Sequence, residues 1–231
     1  MDDLVQGIIQ AFEIILSFNA ALYEIIWLSL SVSGVALVFS TLVGIPLGAA
    51  MALTRFPGRS FITALLYTGM GFPPVVIGLF VYLMLSRSGP AGELGWLFTP
   101  NAMIVAQTII SFPLVAGFTM AAVMGVDPQL RRQLIALGAT PWQATVTILL
   151  EAKIGVVVAI VAGFGAIISE VGAVMLVGGN IEGKTRVLTT AIVLETQKGN
   201  FDLAIALGIV LLLLSFIVNA ILLRLQGKEF S

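Results

Sequence analysis

The chain has 231 residues, of which 59% are hydrophobic and only 10% charged, with a mean hydropathy of +1.10. Soluble domains carry about 25% charged residues, so this composition excludes a water-soluble globular protein and places the chain in lipid. It has no cysteine and no histidine, which removes disulfides, thiolate nucleophiles and imidazole-based metal or acid–base sites, and its net charge of −1 offers nothing to hold a nucleic acid.

Residues 1–18 come first. Leu4, Val5, Ile8, Ile9, Phe12, Ile15 and Leu16 fall on one helical face, with Gln6, Gln10, Glu13 and Ser17 opposite. This predicts an amphipathic helix on the outer membrane surface, or else a lead-in to the first span. Asp2 and Asp3 stand where a signal peptide needs basic residues.

Charges then mark the span boundaries. None occurs between Glu24 and Arg55, Arg59 and Arg87, Glu93 and Asp127, or Asp202 and Arg224, and Ile154 to Val177 holds only Glu170. A bilayer crossing needs about 20 apolar residues, and lipid forces such runs to be helical. The pattern predicts an all-α integral membrane protein with five spans, about Ile25–Leu53, Phe61–Ser86, Asn101–Val126, Ile154–Val177 and Leu203–Leu223. One set of loops holds Arg55, Arg59, Arg131, Arg132, Lys153, Arg224 and Lys228, the other Arg87, Lys184, Arg186 and Lys198. The richer set belongs in the cytosol, and eight of the twelve acids do not share it. The N-terminus is therefore expected outside and the C-terminus inside. Residues 1–231 form a single transmembrane domain, since no stretch between spans is long enough for a second.

Prolines at 46, 73, 74 and 113 predict kinks. Gly44 and Gly48, and again Gly155, Ala159, Gly163 and Ala166, recur at helical spacing. Such rows let two backbones approach closely, within one subunit or at a seam with a second copy.

Residues 125–152 are the longest polar interruption on the side assigned to the cytosol. Asp127-Pro128 reads as a helix start, a carboxylate cap followed by proline at the first helical position. Gly138 ends that helix, and Thr140-Pro141 starts another. The loop reads as two short helices around a tight bend, presenting Leu130, Leu134, Leu137 and Trp142 beside Arg131 and Arg132, a docking surface of apolar groups ringed by charge.

Gly138 is followed ten and twelve residues later by Ile148 and Leu150. That spacing resembles the cytoplasmic signature of ABC importer permeases, with Arg132-Gln133-Leu134 in place of Glu-Ala-Ala upstream and Glu151 in place of proline after Leu150. The stretch Ile168-Ser169-Glu170-Val171-Gly172-Ala173-Val174-Met175-Leu176-Val177-Gly178-Gly179-Asn180-Ile181, with Gly183-Lys184-Thr185-Arg186 after it, resembles oxyanion permeases: it is similar to molybdate permeases and closer to tungstate permeases. The resemblance implies a type I importer permease fold, MetI-like, in a bacterial or archaeal cytoplasmic membrane. It implies a homodimer, two cytosolic ABC ATPase subunits gripping residues 125–152, and an external binding protein that delivers the anion. The coupling residues it implies are Arg131, Arg132, Leu134, Leu137, Gly138, Ala139, Trp142, Ile148 and Leu150. ATP and Mg²⁺ would act in the partner ATPase, leaving this chain without catalytic residue, metal or cofactor. A permease for another small solute, such as sulfate or an amino acid, is the alternative.

Gly178 to Thr185 also satisfies G-x-x-x-x-G-K-[ST]. A phosphate-binding loop needs a strand before it, a helix after it and a cytosolic site, whereas here a membrane span precedes it and the topology places it outside. Residues 178–199 read instead as an outer gate loop. Lys184 and Arg186 would attract an anion to the mouth, or pair with Glu182 or Glu195. Val187, Leu188, Ala191 and Ile192 form the apolar stripe of a short gate helix.

Glu170 is the one ionisable residue inside a span. Burying it is costly, and a carboxylate repels an anion, so it reads as a latch bonding backbone or threonine groups near the gate, or as a side chain snorkelling to the interface. No Lys or Arg lies inside a span; Thr108, Ser111, Thr119 and Ser169 are among the polar groups left to face cargo. An intramembrane enzyme lacks a reactive set here, and a simple channel has no need of a docking loop.

Overall fold

The computed structural model describes Glu13 and residues 20–224, so the surface helix expected over residues 1–18 lies, Glu13 apart, outside the described residues. Among those described, every regular element is helical: α1 (Ala20–Leu53), α2 (Arg59–Met70), α3 (Pro74–Leu85), α4 (Pro100–Met124), α5 (Pro128–Ala136), α6 (Pro141–Glu151), α7 (Lys153–Ile168), α8 (Gly172–Gly178), α9 (Leu188–Gln197) and α10 (Phe201–Arg224), with a 3₁₀ turn at Gly92–Leu94. Four helices carry proline at their first position, Pro74, Pro100, Pro128 and Pro141, where the missing N–H costs nothing and the fixed φ favours the helix.

Helix directions follow from which residues meet. Gly44 lies against Val115, and Gly48 against Ala116 and Thr119. Ser40 bonds Ser111. Residue numbers rise together along α1 and α4, so the two run parallel. Numbers oppose between α7 and α4: Gly155 meets Ala122, Gly163 meets Val115, and Gln107 reaches Ile167. Numbers oppose again between α2–α3 and α4: Leu66 lies against Gly117, Gly69 against Pro113, and Val81 and Leu85 cluster with Ala102, Met103 and Ala106. α10 starts where α1 starts, Leu207 and Val210 clustering with Leu22 and Leu188. The described residues therefore traverse the body five times. Three helices, α1, α4 and α10, are long and apolar enough to cross a membrane alone, and up to five crossings result if each bent pair, α2–α3 at 102° and α6–α7 at 71°, counts as one.

Two of the five apolar runs are not continuous helices. The second breaks at Gly71–Pro73, and α2 and α3 meet at 102°. Pro73 and Pro74 offer no N–H, and Gly71 N and Phe72 N turn back to Thr68 O (3.1 Å) and Gly69 O (3.3 Å). The fourth breaks at Ser169–Val171 without any proline, so α7 has 16 residues and α8 continues its direction with seven. Pro46 and Pro113, in contrast, sit inside unbroken helices.

The small-residue rows pack within one subunit. A Cβ on Gly48 would stand 2.4 Å from Ala116 O, on Gly78 2.5 Å from the Cα of Ala173, and on Gly155 2.5 Å from the Cβ of Ala122. At such contacts backbones touch, the form of helix association that works where water cannot drive burial. Replacing Gly48 by alanine forces α1 from α4 and is expected to destabilise the detergent-solubilised protein by about 2 kcal/mol, whereas Gly34→Ala, with nothing within 4 Å of its Cβ, leaves the melting temperature unchanged. Paired thermal melts read the difference.

Candidate functional sites at the two ends of the bundle

The loop 125–152 sits at the end where α1 and α4 terminate. Asp127 Oδ1 accepts Gln129 N at 2.8 Å and starts α5. The helix closes through Gly138, at φ +90°, with Leu137 N, Gly138 N and Ala139 N returning to Gln133 O, Ile135 O and Leu134 O. Only glycine takes that backbone without strain. Thr140 and Gln143 then form a reciprocal cap: Thr140 N donates to Gln143 Oε1 (2.8 Å) and Gln143 N to Thr140 Oγ1 (3.3 Å).

This loop is stitched to the bundle. Ala144, Ile148 and Ala152 recur every fourth residue and are buried, Ile148 among Ala49, Val123 and Ala152. Arg131 Nη1 donates to Leu53 O at 2.8 Å, occupying a terminal carbonyl of α1. The opposite face of the loop stays open: Leu137 is 85% exposed, Trp142 75% and Leu150 65%. Arg131, Arg132 and Gly138 are also exposed, and Ala139 and Leu134 half-buried. Leu130, expected on the docking surface, packs against the Ile148 cluster. Ile148 likewise points into the chain's own core, because helical spacing puts it on the face of Ala144 and Ala152 rather than on that of Leu150.

At the other end, the break between α7 and α8 is held by polar groups from three elements. Gln107 Nε2 donates to Ile167 O at 3.0 Å, Glu170 Oε1 accepts Ala173 N at 2.8 Å, and Thr189 Oγ1 donates to Glu170 O at 2.9 Å. Every backbone group freed by such a break must find a partner in lipid. Sequence reasoning overlooked Gln107, though it is the one glutamine within any of the five apolar runs. Of the polar groups offered to cargo, Ser111 and Thr119 are fully buried, Ser111 bonded to Gln107 O and Ser40; Thr108 turns its hydroxyl to Ile104 O and Ser169 to Gly165 O.

Residues 178–199 form a folded turn and α9. Ile181 O accepts Lys184 N, Thr185 N and Arg186 N, and Thr185, fully buried, donates to Gly178 O at 2.6 Å while accepting Ile181 N. A phosphate loop needs those amides and that hydroxyl free; here all are spent internally, and a helix rather than a strand precedes them. Arg186 pairs with Glu182 at 3.1 Å and Lys184 is exposed. With Glu24, Glu182 and Glu195 they line a cavity of about 270 Å³, in which carboxylates outnumber cations. Val187, Leu188 and Ala191 are buried, and Leu188 N donates to Ser29 Oγ at 2.9 Å, fastening α9 to α1.

Bent spans around parallel α1 and α4, with a helix pair stitched across one end, define a membrane permease of the importer class. A permease chain of the MetNI methionine ABC transporter, solved in an inward-facing conformation, superposes with a TM-score of 0.73 at 20% identity, over 92% of this chain and 99% of that one. The chain belongs to the family of binding-protein-dependent transport system inner membrane components, which matches residues 44–228. It is 41% identical over 228 residues to the tungstate uptake system permease protein TupB of Peptoclostridium acidaminophilum, covering 99% of this chain and all of that protein. It is 44% identical over 212 residues to a probable anion ABC transporter permease protein of Haloferax volcanii, covering 90% and 91% of the two chains.

Two measurements probe the end away from loop 125–152. Removing the Glu170 acceptor in Glu170→Ala is expected to cost about 1 kcal/mol of stability, as loss of a helix-starting acceptor does, while Glu170→Gln, which keeps an acceptor oxygen, stays close to wild type in the same melts. Glu195 is held below its ordinary value of 4.5 by hydrogen bonds from Asn200 and then Lys198, against the opposing effect of burial. Its folded value being depressed, the stability it contributes is present in full above 4.5 and fades as the pH falls through the lower folded value. The protection factors of amides across 188–200, taken relative to intrinsic exchange at each pH, should therefore fall below about pH 4.5 in wild type and hold steady over that range in Glu195→Gln.

Proposed function

We propose that this chain is the membrane-spanning subunit of an ATP-driven importer that moves tungstate, and with it molybdate, inward across a bacterial or archaeal cytoplasmic membrane. It works as a homodimer, with its N-terminus outside, its C-terminus and residues 125–152 in the cytosol, two ABC ATPase subunits below and an oxyanion-binding protein above. The observation that carries this reading is the exposed set Leu137, Trp142 and Leu150 on a helix pair otherwise fixed to the bundle. Large apolar side chains at a basic, water-facing end are docking groups. The tungstate cargo is supported by the full-length likeness to a tungstate uptake permease.

The geometry supplies a mechanism. The ATPases, which bind ATP and Mg²⁺, close and displace α5 and α6. Because Arg131 holds Leu53 O and Ile148 is seated among Ala49, Val123 and Ala152, the displacement passes to α1, α4 and α7 as a rigid-body movement. At the far end α4 and α7 meet the polar clamp around Ser169–Val171 through Gln107 and Ile167, and α1 holds α9 through Ser29. With no Lys or Arg inside a span, cargo crosses without a fixed cation to trap it, and selectivity falls to the binding protein.

The test is Gly138→Val. A β-branched residue at φ +90° strains the bend by roughly 1–3 kcal/mol and misplaces Leu137 against Trp142. Tungstate uptake in vesicles containing the ATPase and binding protein should drop about tenfold while ATP hydrolysis continues; uptake at full rate removes the coupling role. Sidedness is read separately: a cysteine introduced by Ala139→Cys should escape a membrane-impermeant maleimide in intact cells and react in inverted vesicles.

A further inference from the structure

The basic end holds a second feature, which shares Arg131, Arg132 and Ile148 with the coupling loop. The ends of α1 and α4, the turn before α2 and the start of α5 enclose a cleft of about 700 Å³, lined by Arg55, Arg59, Arg131 and Arg132. Arg59 Nε donates to Met51 O and Arg131 Nη1 to Leu53 O, each at 2.8 Å. A guanidinium has about five N–H donors, so each of these keeps most of its own, and the side chains of Arg55 and Arg132 make no hydrogen bond among the described residues. None of the four is ion-paired with a described carboxylate. Asp127, the one acid on the lining, already accepts Gln129 N through Oδ1.

Four guanidiniums around one cleft repel each other unless an anion joins them. The rest of the lining says which anion. Leu53, Val123, Met124, Val126 and Ile148 make an apolar wall, Met124 is 57% exposed, and Phe56 and Phe61 flank Arg55 and Arg59 as exposed aromatics of the kind that sit at a membrane interface. A free oxyanion has no use for such a wall. An ATPase surface already has its apolar dock at Leu137, Trp142 and Leu150.

We propose that this cleft binds the headgroup phosphate of an anionic phospholipid from the adjacent leaflet, with an acyl chain along the wall. The placement in the cytosolic leaflet rests on the orientation proposed above. A bound lipid would tie the end of α1, the start of α2 and the coupling helix α5 into one body, so the loop's rigidity would depend on the membrane's charge.

The experiment uses the delipidated permease–ATPase complex, titrated with phosphatidylglycerol or phosphatidylcholine, with bound lipid counted by native mass spectrometry. Wild type should retain phosphatidylglycerol in preference to phosphatidylcholine. Each basic residue near an anionic lipid surface contributes roughly fivefold, so Arg55→Gln with Arg132→Gln should reduce retention by about tenfold or more. Lysine at both positions should restore most of it, and Arg87→Gln, at the other end of the bundle, should change nothing. Equal retention in the double glutamine variant overturns the proposal. So does displacement by millimolar inorganic phosphate, which would make the site one for free anions. Lipid bound only when the ATPase is removed also overturns it, since the cleft would then belong to that subunit. The lipid count needs no transport, so a failure of tungstate uptake or of the predicted sidedness is read independently of it.

Discussion

Everything in this structure depends on the direct contact of α1 with α4. In lipid, apolar side chains gain nothing from leaving one hydrocarbon for another, so helices must hold together by close fit and by polar bonds. Gly44 and Gly48 let α1 approach until the backbone of Ala116 is in contact. One turn along, Ser40 and Ser111 bond at 2.5 Å, and Ser40 also donates to Thr108 O. α7 then lays Gly155 and Gly163 against α4, Gly163 meeting both Val115 and Leu37 of α1. The parallel pair fixes the remainder, because two parallel neighbours require a return crossing between them, and α2–α3 supplies it.

The return crossings are where the body gives up regularity. Both break where their neighbour α4 carries a polar or helix-weakening residue: Gly69 and Met70 lie beside Pro113 and Gly117, and the end of α7 lies beside Gln107. The two breaks are satisfied differently. The first folds back on its own carbonyls, while the second recruits Gln107, Glu170 and Thr189 from separate elements. A carboxylate inside a span is thereby explained without any contact to cargo: it starts a half-helix that lipid would otherwise leave with an unsatisfied amide.

Much of this was legible in the residues. Charge placement alone gave the five apolar runs, and Asp127-Pro128, Gly138 and Thr140-Pro141 marked the two loop helices and their bend, because caps and prolines act locally and need no knowledge of the fold. The 102° bend at Pro73 was foreseen only as a kink, since its size depends on what α4 presents opposite. The break after Ser169 carries no local breaker and is held by residues up to 60 positions away. Ile148 belongs to the loop signature, but spacing does not say which face of α6 meets the bundle. The G-x-x-x-x-G-K-T match failed for a physical reason: its amides and threonine already close a turn on Ile181 and Gly178.

The two ends of the molecule differ in how their charges are spent. At the end away from loop 125–152, Arg186, Lys198 and their acidic partners are paired within the chain, which makes a self-contained rim. At the basic end four arginines have no acidic partner among the described residues, and two of them cap the terminal carbonyls of α1. Guanidiniums without an acidic partner are held by hydration, by screening ions or by an anion from outside the chain. The end that carries the exposed loop helices is thus also the end whose arginines are left to solvent or to a group outside the chain. A loop helix tied to α1 through Arg131 moves with α1 only as well as that tie holds, so the charges beside Arg131 bear on how firmly the two are joined.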